Sequence, residues 1–242
     1  MHIAILRIDN NTEGIFKERP NRFLGKVQIT NNSKNKSTLE SAHIHDPGRL
    51  KELLFPDNKV LLKHATNQNR KTRWDVIAAR KGKQWVFIHS GFHRAISENI
   101  LRNIKINPFG KLQTIRPEIK IGHSRLDFEL ITEDETKILV EVKGCTLTCD
   151  SIALFPDAPT ARGVRHIQTL LDAQAMGYST ALLVLIFRKD SICFAPNKDT
   201  DPNFASIFKM ALKNNVKVYP MVLSYDGNKI FYERIIPVCM KK

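Results

Sequence analysis

Ser124–Gly144 reads SRLDFELITEDETKILVEVKG, and two short alternations inside it decide the fold. In the first, Leu126, Phe128 and Leu130 fall on one face, and Arg125, Asp127 and Glu129 on the other. In the second, Ile138, Val140 and Val142 oppose Leu139, Glu141 and Lys143. A period of two is the mark of a strand, and the polar run GluAspGluThr between the two reads as a hairpin loop. If the apolar faces coincide, Asp127, Glu141 and Lys143 share the opposite face. Carboxylates held side by side repel and call for a cation. Oxygen donors of this kind suit a hard divalent ion such as Mg²⁺ or Mn²⁺. A plain solvated hairpin face presents the same residue types, and the alternation by itself does not separate the two.

Downstream of the hairpin, 146–159 reads as a loop and 160–176 as an amphipathic helix. Thr160 stands at its N-cap and Gly177 at its end. The run 180–187 (TALLVLIF) reads as a fully buried strand. A helix over 203–214 and strands over 217–225 and 229–236 complete the chain. Upstream, a helix begins near Ile96 with Ser97 as its expected N-cap, and 114–121 is a strand. Before residue 90 the text changes to short strands at 15–17, 22–29, 38–45, 59–65, 74–80 and 85–89. Polar turns separate them, notably at 31–36 and 66–71, and the segment 49–54 is expected to form a short helix after the turn at Pro47-Gly48. Many short strands at this spacing point to a small barrel. The expectation is therefore an α/β (α+β) chain of two domains. An oligonucleotide-binding (OB) β-barrel spans 1–90, and a mixed-sheet domain spans 91–242.

The 242 residues carry 38 Lys and Arg against 24 Asp and Glu, a formal charge of +14. This bias favours a polyanion. No apolar run approaches the ~20 residues of a membrane span. No secretory signal is evident at the N-terminus, so a cytoplasmic location is expected. The four cysteines, Cys145, Cys149, Cys193 and Cys239, lack CxxC spacing and are expected to be reduced thiols. In the barrel, Arg22, Lys26, Arg49, Arg70, Lys71 and Arg73 are candidates for phosphate contacts, with Phe23 and Trp74 as candidate stacking platforms. Ser124 sits in GHSRL, which lacks the second glycine of a serine nucleophile elbow and enters a strand.

The order helix, three strands, helix, strand, with Asp127 on the second strand and Glu141-Val142-Lys143 on the third, resembles the restriction-endonuclease-like fold and its PD-(D/E)xK motif. The proline of that motif is absent, since Leu126 precedes Asp127. Five blocks in order, HDPGRL (45–50), NQNRKTRWD (67–75), SRLDFE (124–129), VEVKGCTL (140–147) and FPDAPTARGVRHIQTL (155–170), make the chain similar to the sugar fermentation stimulation protein A family. The resemblance runs from about residue 12 to about 237. It implies an OB barrel joined to a nuclease-like domain, DNA binding without marked sequence preference, and a link to sugar, especially maltose, metabolism.

On this resemblance the catalytic set is Asp127, Glu141 and Lys143. Mg²⁺ or Mn²⁺ is held by Asp127, Glu141 and the Val142 carbonyl, with Glu98 reaching it through water. Arg125, Arg162, Arg165 and His166 join the barrel cations as nucleic-acid contacts, and His166 is alternatively a general acid or the cap of a core pocket. The implied partner is DNA, double- or single-stranded, with no membrane; a homodimer and the transcription machinery are further partners the reading leaves open. A regulator that binds without cutting and an RNA-processing nuclease are the alternative activities. The chain departs from the family at His89, where Asn or Asp is usual, at His93, where Asn is usual, and at Asp46, where Asn is frequent. HisxxxHis suggests metal ligation, but Gly91 between the two argues against one helix face.

Overall fold

A computed structural model describes residues 3–9, 11–31, 36–67 and 69–239. Of the polar turn at 31–36, residues 32–35 lie outside the described residues, as does Gln68 in the block 67–75. The chain divides into two compact units. One is 1–92 with 224–231, and the other is 93–223 with 232–242.

In the first unit the strands are β1 (Ile3–Arg7), β2 (Asn11–Asn21), β3 (Leu24–Asn31), β4 (Lys36–His43), β5 (Lys59–His64), β6 (Trp74–Lys81) and β7 (Gln84–Phe87). Strands β4, β3, β2, β5 and β6 pair in that order, antiparallel throughout. The parallel pairing of β4 with β6, Ala42 to Trp74 and His43 to Asp75, then closes them into a five-stranded barrel. Closure removes the open edges a sheet would otherwise expose. The barrel is filled by Phe16, Val27, Ala42, Ile44, Leu62 and Val76, all at most 1% exposed. Gly14 faces this interior, and a Cβ there would come within 2.6 Å of Val27 Cγ1.

The segment 49–54 is a single turn and not a helix. The Leu53 and Leu54 amides both donate to the Leu50 carbonyl, and Leu50 itself has φ 49°. A left-handed residue interrupts helical hydrogen bonding at its first turn. Ahead of it the Asp46 side chain accepts the Gly48 amide at 2.7 Å, a local turn that explains an acid in that place.

The second unit opens with α1 (His93–Arg102), preceded by a short 3₁₀ turn at Ser90–Phe92. Strands β8 (Leu112–Ile121), β9 (Ser124–Thr132) and β10 (Lys137–Cys145) form an antiparallel meander. Strand β13 (Ser179–Ile186) runs parallel to β10, and β15 (Lys217–Tyr225) parallel to β13. Between β10 and β13 lie β11 (Thr148–Cys149), β12 (Ile152–Phe155) and α2 (Ala161–Gln174); between β13 and β15 lie β14 (Cys193–Pro196) and α3 (Pro202–Lys213), and β16 (Lys229–Ile235) ends the series.

The expected loop at 146–159 therefore contains two strands, which pair with β14 in a separate small sheet. Ser97 is not a cap: α1 begins four residues earlier, and Ser97 is fully buried within it. Thr160 does cap α2, its hydroxyl accepting the Gly163 amide at 3.0 Å. Asp201 caps α3 and also accepts the Thr160 amide at 2.8 Å, so one side chain fixes two helix starts. The expectation of four reduced cysteines is corrected at one pair, since Cys193 and Cys239 are joined in a disulfide. Cys145 is a buried thiol and Cys149 an exposed one.

Strand β10 is covered on both faces. Leu139 belongs to the cluster built on Ile167, Leu170, Phe204 and Phe208 of α2 and α3. The next residue, Val140, points the other way and is also fully buried. Successive side chains of a strand alternate, so Glu141 and Lys143 share the Leu139 face, toward α2, and Gly144 faces α1. A Cβ at Gly144 would stand 2.2 Å from His93 Cε1. The His93 ring lies there instead, stacked on Phe187 at 5.6 Å. Gly144→Ala must push the ring off the strand and is expected to cost about 1–3 kcal/mol. Urea denaturation of the variant against the parent protein measures it, and an unchanged midpoint would contradict this packing.

Candidate functional site

Strands β9 and β10 bring Asp127 and Glu141 into one neighbourhood. Their register pairs Leu139 with Glu129 and Val140 with Phe128. The Val142 amide, beyond the last residue paired with β9, donates to Asp127 Oδ2 at 2.7 Å. Asp127 is half-buried and Glu141 is 2% exposed. Glu141 Oε1 accepts both from the Lys143 ammonium and from His166 Nδ1. His166 comes from the second turn of α2, and its other nitrogen faces Arg162 Nε at 3.3 Å. Glu141 Oε2 is buried and has no hydrogen-bond partner among the described residues.

The electrostatics follow from this arrangement. Burial pushes the Asp127 carboxyl up, and the Glu141 carboxylate pushes it further, to about 6; the Val142 amide, Lys143 and His166 act in the opposite sense. Burial would raise Glu141 as well, but the Lys143 and His166 contacts overcome it and hold Glu141 below its ordinary value. Of two neighbouring carboxylates, one is held as the anion and the other is poised near neutrality, which is a common property of functional sites. His93, on the opposite face of β10, is held down to about 4 by burial and by the Lys143 charge.

The expected catalytic residues Asp127, Glu141 and Lys143 thus converge, and His166 joins them. His166 is 6% exposed, so its place is inside the cluster and not on a surface. Glu98 is half-buried and takes Arg94 Nε at 3.2 Å, one helical turn before it. The charged groups that act on Asp127 are Glu141, Lys143 and His166, and Glu98 is not among them. Arg162 and Arg165 are exposed on the first turns of α2, and Arg125 is exposed and reaches Glu118 at 3.3 Å.

In the barrel unit Arg22, Arg49, Lys71 and Arg73 are exposed. Lys26 donates to Ser41 Oγ at 3.0 Å, and Arg70 grips both oxygens of Asp75 at 2.7 and 3.1 Å. Phe23 is 48% exposed and stacks on His43, whereas Trp74 is half-buried against His64. His89 and His93 do not meet as a HisxxxHis pair: His89 lies on His45 with ring centroids 3.7 Å apart, while His93 lies on Gly144. Sequence reasoning missed His166 as a partner of Glu141, and it missed the group His45, Asp75 and His89. Nothing in the local text links residues that far apart. No helix among the described residues is long and apolar enough to cross a membrane.

Comparison with known proteins places both units. A model described as "Sugar fermentation stimulation protein RE domain" matches residues 91–229, and one described as "SfsA N-terminal OB domain" matches residues 18–88. A sugar fermentation stimulation protein homolog of Methanococcoides burtonii is 44% identical over 238 residues, covering 98% of this chain and 96% of that one. One of Thermosipho melanesiensis is 42% identical over 232 residues, covering 96% of each. Among solved structures, Pyrococcus furiosus SfsA in complex with Ca²⁺ superposes with a TM-score of 0.88 at 26% identity, covering 98% of this chain and 99% of that one.

Proposed function

We propose that this chain, which belongs to the sugar fermentation stimulation protein A family, binds DNA with little regard to sequence and carries a metal-dependent phosphodiester-cleaving site at Asp127, Glu141 and Lys143. The observation that carries this reading is the buried Glu141, with one oxygen clasped by Lys143 and His166 and the other left without a partner beside Asp127. A buried acceptor without a donor is costly, and a cation would satisfy it.

The donor set fits a hard divalent ion, since both candidate ligands are carboxylates. The Ca²⁺ complex of the Pyrococcus furiosus relative supports an ion of that kind. Mg²⁺ or Mn²⁺ would be held by Asp127 and Glu141, and it would supply Lewis acidity at the scissile phosphate and at water. The chain's own residues do the rest. Asp127 must be ionised to hold a cation, and the Val142 amide fixes one of its oxygens so that the other has a defined direction. Lys143 keeps a positive charge next to the carboxylates, where it can orient water or offset charge that develops on the phosphate. His166 holds Glu141 in place from α2. Arg162 and Arg165, at the start of that helix, offer phosphate contacts where the helix dipole also favours anions. Arg22, Arg49, Lys71 and Arg73 offer sequence-independent contacts on the barrel.

A second reading, a regulator that binds DNA without cutting it, is favoured by a specific observation. Lys143 already pairs with Glu141 without a metal, and His166 contacts the same carboxylate oxygen. The test incubates the purified protein with plasmid, single-stranded and branched DNA in MgCl₂ or MnCl₂, beside Asp127→Ala. The reading expects metal-dependent cleavage that Asp127→Ala lacks, and retention of DNA by both proteins. Retention should weaken linearly in log-log form as salt rises, because counterion release dominates such binding. Equal residual cleavage by both proteins would overturn the chemistry, and retention insensitive to salt would overturn the electrostatic part.

A further inference from the structure

The barrel unit holds a second group of donors with a different chemistry. His45 stands two residues after β4, Asp75 in β6 and His89 just after β7, and one donor atom from each lies within 4.8 Å of the others. We propose that His45, Asp75 and His89 form a binding site for a borderline divalent ion of the Zn²⁺ class, separate from the carboxylate site.

The geometry already approaches a coordination sphere. His45 Nε2 and Asp75 Oδ1 are 3.1 Å apart. With metal bonds of about 2.0–2.1 Å, neighbouring ligands of one ion lie roughly 3.0–3.4 Å apart. An ion can therefore replace the shared proton between these two atoms with almost no movement. The His89 donor has to swing closer, and Gly91 allows it, because a Cβ there would stand 2.9 Å from His89 Cε1 and 3.8 Å from His45 Nδ1. The rings are already neighbours, and the His89 ring, stacked face to face on His45, turns to aim its lone pair at the ion. His45 lies over His89 at 3.7 Å, His43 meets His45 edge-on at 4.4 Å, and Phe92 meets His89 at 4.7 Å. Arg70 grips both oxygens of Asp75, including the Oδ1 that faces His45, and orients the carboxylate, as partners of a metal ligand commonly do. His89 is 7% exposed and His45 half-buried, so the site has a dry floor and an open side.

Donor type sets the selectivity. Two imidazoles and one carboxylate suit Zn²⁺, Co²⁺ or Ni²⁺, whereas Mg²⁺ and Ca²⁺ prefer oxygen alone. The two sites should therefore sort metals by hardness.

The experiment titrates ZnCl₂ into the full-length Asp127→Asn/Cys149→Ser protein, which lacks the carboxylate site and the exposed thiol, and follows CoCl₂ by its visible absorption. One ion per chain is expected, and excess MgCl₂ should not displace it. His45→Gln and Asp75→Asn, added singly to that background, should each weaken Zn²⁺ binding by at least about tenfold and abolish the Co²⁺ band. His45 is half-buried, so His45→Gln remains informative if Asp75→Asn, which also releases Arg70, fails to fold. Zn²⁺ affinity in His45→Gln equal to the background protein, or no uptake by the background protein, would overturn the proposal.

Discussion

Asp127→Asn should abolish metal-dependent cleavage and at the same time make the metal-free protein more stable at neutral pH. The two effects share one cause. Burial and Glu141 raise the Asp127 carboxyl from 3.8 to about 6. A carboxyl raised in the folded state binds its proton more tightly there than in the unfolded chain. Its contribution is fully present below the ordinary value of 3.8 and is lost as pH rises through about 6. At pH 7 the folded protein therefore carries an ionised group it disfavours, at a cost on the order of 1–3 kcal/mol once partial solvent screening is allowed for. Asparagine keeps an oxygen for the Val142 amide and removes the charge. Thermal melts at pH 4 and pH 7.5 would measure this. The stabilisation by Asp127→Asn should be large at the higher pH and small at the lower.

Adding MgCl₂ should reverse the order, because only the parent protein gains from binding an ion. Its Mg²⁺ affinity should fall as pH drops below about 6, where Asp127 takes up its proton. Cleavage by Asp127→Asn should be lower by at least about 10²-fold, the scale of losing one preorganised electrostatic group at a reacting centre. A variant less stable than the parent at pH 7.5 without metal would sink the account of Asp127 as a strained, functional acid. Trading stability for a charged site in this way is common in active centres.

The hairpin that bears these residues was legible because its alternation is strict, and the order of helices and strands around it followed from amphipathic spacing. Its surroundings were harder to read. Leu139 and Val140 are both fully buried, since α1 and α2 cover opposite faces of β10. From the sequence, the Glu141 face could as well have met water. His166 meets Glu141 across 25 positions, and a capped helix with two arginines in its opening turns was the signal nearest to that contact. The HisxxxHis spacing drew attention to His89 and His93, but pairing of β4 with β6 is what sets His45 beside Asp75. Barrel closure of that kind leaves no local trace. The Cys193–Cys239 bond joins positions 46 apart, and spacing alone gave no reason to pair them. Ser97 had the residue type of a cap, but the helix extended past it because Ile96 and Ile100 both face the core.

Replacing Glu141 by alanine should be among the most destabilising single changes in the chain, at about 3–5 kcal/mol. Lys143 and His166 have side chains only 11% and 8% exposed, and both turn to the same oxygen of this carboxylate. Without it, the Lys143 ammonium is left buried with His166 Nδ1, 3.4 Å away, in place of a carboxylate. Glu141→Gln should cost less, because an amide oxygen still accepts from one of them. Its pH profile should also change. Glu141 is held below its ordinary value of 4.5, so its contribution is present above that pH and is lost as pH falls through the folded value. The glutamine variant should lose that part of the acid sensitivity. The decisive control is the triple replacement Glu141→Leu, Lys143→Met and His166→Leu. If the cluster exists for chemistry and not for stability, removing all three polar groups should cost less than Glu141→Ala alone, since apolar packing can replace a buried ion pair without penalty. Urea unfolding of the three proteins decides it. A triple variant less stable than Glu141→Ala would mean that the charged cluster is a net structural support, and it would take away the reason to regard a buried glutamate on this strand as anything more than part of the core.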